Sequence, residues 1–203
     1  KVKLFGPFSW TFKREALWSV HGPVLKGEYA TYSMRYSNYN DIRIIEQWYR
    51  MNKAVNFEEW QSAMAMTSIP MFGTGYADKE GNIFYLYNAK LPIRTEGYDW
   101  QGVLPGNNSD LLWTEYLSYE KLPQVLNPES GFIQNCNNDP FITTTGHSNP
   151  IRENYSETFG IESRMSNRAL RSMELFGKDS SITSEEFEQY KFDIIYSDDS
   201  YMS

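Results

Sequence analysis

The sequence predicts an α+β chain, in which hairpins and helices occupy separate stretches instead of alternating. Three observations predict it. Residues 9–36 are rich in β-formers punctuated by turn residues. Residues 71–88 read as a hairpin. Helical patterns follow capping signals at Asn40 or Asp41, Asn56 and Thr183.

Taken in order, residues 9–25 give two strands broken at His21-Gly22-Pro23, and residues 29–36 give another. Asn40 or Asp41 caps a helix through Asn52 whose inner face would carry Ile45, Trp48 and Met51. Asn56, with Glu59 three residues on, opens a second helix that should pair with the first. Residues 71–77 and 83–88 flank Asp78-Lys79-Glu80-Gly81-Asn82, a turn in which glycine can take the positive-φ position.

Residues 91–127 are loop-rich, with Pro92, Pro105, Gly106 and Pro123 as breakers. They nevertheless keep Trp100, Leu111, Trp113, Tyr116 and Leu117, which marks a packed or functional loop and not a linker. Residues 131–136 read as a short buried strand leading into Asn137-Asn138-Asp139-Pro140. Residues 161–176 place Ile161, Met165, Ala169, Met173 and Phe176 on one helical face. Thr183 and Glu186 form a capping box for a last helix.

Composition removes several classes of function. Lys plus Arg number 19 against 26 Asp plus Glu, a net charge of -7, so no broad basic surface exists for nucleic acid. No apolar run is long enough to span a bilayer, and residues 1–10 hold no signal-peptide core. The lone Cys136 forbids a disulfide within the chain and leaves the compartment open. Aromatic residues make up 16% of the chain, which suits half-exposed sheets or a surface that grips rings and sugars.

Few residues can carry chemistry. His21, His147 and Cys136 are too sparse for a zinc site or a cysteine hydrolase, and His21 reads as a turn histidine bonded to backbone. Asn135-Cys136-Asn137-Asn138 stands at a strand-to-turn junction, where a side-chain amide can be aimed at an anionic oxygen; the same string is also an ordinary turn former. Arg164, Arg168 and Arg171 share one helical stripe, either solvated or directing one guanidinium to a site.

Four stretches in order resemble one family. Residues 75–85, from Gly75-Tyr76-Ala77-Asp78 to Gly81-Asn82-Ile83-Phe84-Tyr85, precede Leu91-Pro92-Ile93-Arg94. Asn127-Pro128-Glu129-Ser130-Gly131-Phe132-Ile133 precedes Asn137-Asn138. Val20-His21-Gly22-Pro23-Val24 lies upstream, and Ile161-Glu162-Ser163-Arg164 downstream. Together these are similar to the penicillin acylase (penicillin amidase) family.

That resemblance implies an αββα sandwich of the N-terminal-nucleophile hydrolases, with the first strands and those of Tyr76 and Ile133 in the sheet layers and the helices outside. It implies that residues 1–203 are a fragment of the large (β) subunit, whose nucleophilic serine is exposed by autoproteolytic processing and lies outside this segment. Alone, the segment is expected to be inactive. The expected reaction is cleavage of a linear amide of penicillin or acyl-homoserine-lactone type through an acyl-enzyme. Asn137 would lie in the oxyanion hole and Arg164, early in the next helix, would orient it.

No cofactor is implied for the chemistry, although members often bind structural calcium. A backbone carbonyl near Trp100 and a carboxylate from Glu153 or Glu157 are the local candidates. The expected partners are the small-molecule acyl amide and the remainder of the same precursor, in the periplasm or outside the cell, with exposed apolar surface where that remainder docks. Gly73-Thr74-Gly75 is more glycine-rich than the family pattern, so the strand end beside the acyl pocket should differ. Two other readings are a relative without catalysis that acts in binding or structure, and an aromatic-rich sugar-binding module.

Overall fold

The computed structural model describes residues 2–3, 5–13 and 15–200; Lys1 lies outside them. Strands β1 (Val2–Lys3) and β2 (Ser9–Trp10) pair antiparallel. A meander follows, of β3 (Leu17–Trp18), β4 (Pro23–Lys26) and β5 (Thr31–Ser33). Helices α1 (Ile44–Lys53) and α2 (Phe57–Met64) precede the second three-stranded sheet, built of β6 (Met71–Ala77), β7 (Ile83–Ala89) and β8 (Gln124–Leu126), with β7 in the centre. Helices α3 (Asn167–Lys178) and α4 (Ser184–Lys191) close the chain. The α+β class is as the sequence predicts. No helix among the described residues is long and apolar enough to cross a membrane.

The β6–β7 hairpin is in the predicted register because its turn is over-determined. Asp78 Oδ1 accepts the Asn82 backbone N–H, Asp78 Oδ2 accepts from the Tyr76 hydroxyl and the Asn82 amide, and Gly81 takes φ 91°. Both faces of β7 are buried. Phe84 meets Phe57 and Trp60 of α2 on one side, while Tyr85 and Tyr87 face residues 131–162 on the other. The core therefore lies on both faces of this strand.

Asn56 caps α2 through the Glu59 backbone N–H, and the Thr183–Glu186 capping box opens α4, both as expected. Helix α1 differs. Neither Asn40 nor Asp41 caps it. Asp41 instead accepts from Arg43 at 2.7 and 2.8 Å and from Ser68 at 2.9 Å, so the helix begins two to three residues later. Its buried residue is Gln47, while Ile45 and Trp48 are 73% and 38% exposed; only Met51 of the expected inner face packs on the core. The α1–α2 pair holds, with α1 turned so that a polar side chain is the one buried.

The Arg43 guanidinium beside it keeps the Asp41 carboxyl far below its ordinary value. A depressed carboxylate contributes stability above its unfolded pKa and loses it as pH falls toward the folded one. The thermal midpoint should therefore drop more steeply between about pH 5 and 2 in the parent than in Asp41→Asn; equal slopes would remove this linkage.

The first strands form sheets of their own, separate from the β6–β8 sheet, and their Trp18, Leu25 and Tyr32 side chains stay exposed. Two further expectations are corrected. Residues 131–136 form no strand; their backbone is satisfied locally, as Gln134 N–H donates to the Thr143 carbonyl and Cys136 N–H to Asn138 Oδ1. Helix α3 starts at Asn167, because the Ser166 side chain accepts from Ala169 N–H, which leaves Ile161 through Met165 outside any helix.

Candidate active site

Two family-like motifs turn out to be supports for one loop. Asn127, in the left-handed region at φ 46°, accepts from the Ile83 N–H through its side chain and donates its own N–H to the Ile83 carbonyl. This ties the end of β8 to the start of β7. The Pro128–Gly131 turn then delivers residues 131–136 onto the sheet, where Ile133 lies 3.4 Å from the Cβ position of Gly75, and Asn135 lies over Gly73. Gly73 and Gly75 pair with Tyr87 and Tyr85, so all four positions share one face of the sheet. The glycine-rich stretch flagged in the sequence is the floor on which this segment rests.

The Asn137–Pro140 turn is rigid. Asn138 is buried, its Oδ1 accepting from Cys136 N–H and its Nδ2 donating to the Asp139 and Ile142 carbonyls. Asp139 is buried as well; it accepts from Phe141 N–H, and burial raises its pKa. Asn137 alone of the pair faces outward, in the left-handed region at φ 57°. Arg168 Nη2, on the first turn of α3, donates to Asn137 Oδ1 at 3.3 Å and to the Cys136 carbonyl at 3.1 Å.

A guanidinium offers only donors, so it fixes which end of the amide it meets. Oδ1 is held by Arg168, and Nδ2, with no acceptor among the described residues, points away with its N–H groups available. A preorganised amide donor of this kind suits an oxygen that becomes anionic during acyl transfer.

Arg164 is not brought to Asn137. It lies exposed in the run before α3, and its link to the turn is its carbonyl, which accepts from Asp139 N–H. Arg171, third of the stripe, pairs with Glu174 and Asp193, both at 3.0 Å. His21 Nε2 lies 3.1 Å from the Gly106 carbonyl, as read, and Cys136 Sγ packs 3.6 Å from Ser172 Oγ. A groove of about 710 Å³ between Gly75, Phe132, Phe176 and Phe187 opens beside the same segment; Asn137 does not line it.

The surroundings of the calcium candidates Trp100, Glu153 and Glu157 include a cation. The Arg94 guanidinium stands 5.3 Å from the Trp100 ring centre and 3.0 Å from the Cβ position of Gly160, the residue closing the 3-10 turn that carries Glu157. Glu153 lies on a separate 3-10 turn. Among the described residues no group of three or more His, Cys, Asp or Glu side chains that could hold a metal ion forms.

The fold is that of an acylase segment. The structure matches thermostable penicillin G acylase from Alcaligenes faecalis with a TM-score of 0.67 at 24% identity, over 86% of this chain and 30% of that one. The penicillin amidase family model matches residues 9–199, so the chain belongs to that family. Penicillin G acylase of Escherichia coli is 32% identical over 126 residues, covering 60% of this chain and 15% of the relative. An acyl-homoserine lactone acylase of Pseudomonas fluorescens (strain Pf0-1) is 27% identical over 157 residues, covering 66% of this chain and 20% of the relative. The chain thus spans a fifth or less of the length of the Escherichia coli and Pseudomonas fluorescens relatives.

Proposed function

We propose that the chain is a segment of the large subunit of an exported amide hydrolase that cleaves the bond between an acyl group and an amine. The observation that supports this best is the orientation of Asn137, with Oδ1 tied to Arg168 and Nδ2 aimed outward, within a chain of this family. In the proposed reaction an N-terminal serine outside these residues attacks the amide carbonyl, and its hydroxyl proton passes to its own α-amino group. The carbonyl oxygen gains the electron pair and accepts from Asn137 Nδ2. Collapse expels the amine, which takes that proton, and water then releases the acid from the acyl-enzyme. No step is routed through a metal.

The substrate class follows the relatives, one named for penicillin G and the other for acyl-homoserine lactones, both of them acyl amides. The remainder of the precursor, including its small subunit and nucleophile segment, would cover apolar side chains such as Ile45, Trp48 and Phe72. The test is hydrolysis of anilides bearing phenylacetyl, long alkyl or dicarboxylic acyl groups by the complete protein, with quenched samples weighed for an acyl adduct. Release of the aniline with an adduct on the large subunit supports the reading; neither product with any of the three rejects it.

We assign to Arg168 the orienting role that the resemblance gives to Arg164, because Arg168 Nη2 is the group that donates to Asn137 Oδ1. Arg168→Ala should lower kcat by about tenfold, the scale of one lost charged hydrogen bond. Arg164→Ala should change kcat by less than about threefold on the same scale. Steady-state kinetics of the pair decides, and the reverse ranking would return the role to Arg164.

A further inference from the structure

We propose that Asn135 and Gly73 form a positioning pair that sets Asn137 relative to the sheet; this rests on the reading of Asn137 as an oxyanion donor. Three contacts carry the inference. Asn135 Oδ1 accepts the backbone N–H of Asn137 at 3.2 Å. Asn135 Nδ2 donates to the Gly73 carbonyl at 2.8 Å. A Cβ at position 73 would fall 2.5 Å from that Nδ2 and 2.8 Å from Asn135 Cγ, closer than real atoms approach. The Asn135 amide therefore lies flat against a strand that has no side chain there, and only glycine leaves room for it.

The arrangement answers a geometric difficulty. Asn137 sits in a left-handed conformation that L side chains rarely adopt, on a segment with no strand partner, so the sheet ladder does not fix its height above β6. Asn135 supplies what the ladder would have given, by clamping the Asn137 main chain to β6 while Arg168 clamps its side chain. Gly73 is then matched to Asn135, which accounts for a glycine where the family pattern does not call for one.

The test uses the complete protein with Gly73→Ala, Asn135→Ala, the double variant and Asn137→Ala. It reads kcat, KM, thermal midpoint and hydrogen exchange at the Asn137 amide. Gly73→Ala and Asn135→Ala should each lower kcat about 10- to 100-fold, the scale of a displacement near 1 Å, with little change in KM or thermal midpoint. Adding Gly73→Ala to Asn135→Ala should cost nothing more, because the side chain it would displace is gone. Exchange at the Asn137 amide should accelerate in both single variants. If Asn135→Ala unfolds the protein, Asn135→Asp, which keeps the acceptor for Asn137 but loses the donor to Gly73, replaces it.

Unchanged kcat and exchange in the single variants, or additive losses in the double, overturn the pairing. Should Asn137→Ala leave turnover intact, the reading of Asn137 fails instead, and the exchange result still decides whether Asn135 holds it.

Discussion

On the proposed function, Asn137→Ala in the complete protein is expected to lower turnover about 100- to 1000-fold, the loss that follows removal of one oxyanion donor, with KM nearly unchanged. The asymmetry follows from timing. A neutral carbonyl gains little from one more N–H donor, whereas the oxyanion formed in the transition state gains a great deal. Asn137→Asp should lose as much, because a carboxylate beside Arg168 offers acceptors where a donor is needed. Pre-steady-state kinetics with a chromogenic amide would place the loss on acylation. An unaltered acylation rate would leave Asn137 an ordinary turn residue.

Gln47→Leu is expected to destabilise the protein by about 3–5 kcal/mol, since it orphans three buried groups at roughly 1–3 kcal/mol each, partly offset by relaxation. Gln47 has no exposed surface. Its Oε1 accepts from the backbone N–H groups of Ser68 and Ile69 at 2.7 and 2.9 Å, and its Nε2 donates to Asn88 Oδ1 at 3.0 Å. Asn88 in turn donates to the Met64 carbonyl at 3.0 Å, so one network joins α1, the end of α2, the entry to β6 and the end of β7. Leucine preserves volume and none of these bonds. Denaturant unfolding of parent and variant measures the effect, and a cost below about 1 kcal/mol would mean that these groups find other partners.

The same network explains why hydrophobic spacing does not give the buried face of α1. Hydrophobic spacing selects Ile45 and Trp48 as inward residues, yet the interior at this point holds unpaired backbone donors that only a polar side chain can satisfy. Nothing local to α1 reveals them, since Ser68 and Ile69 lie over 20 residues away. The β6–β7 hairpin and the caps at Asn56 and Thr183 were legible because their bonds lie within three or four residues.

Residues 131–136 looked like a strand because Phe132, Ile133 and Gln134 have that texture. Side chains from Ser130, Asn135 and Asn138 take up backbone groups that a ladder would have used. The resemblance singles out Asn137 and Arg164; the cap at Ser166 sets the start of α3, and with it that Arg168 is the arginine whose side chain reaches the Asn137 turn. Asn135 and Gly73 left a trace in the sequence, an unexplained glycine, that acquires meaning only once the two are seen in contact.

The most direct measurement is the intact mass and N-terminal sequence of the polypeptides produced from the complete gene. The account predicts two chains, the larger containing residues 1–203 and beginning with a serine upstream of them. A single uncut chain, or a larger chain whose first residue carries no hydroxyl or thiol, would contradict it.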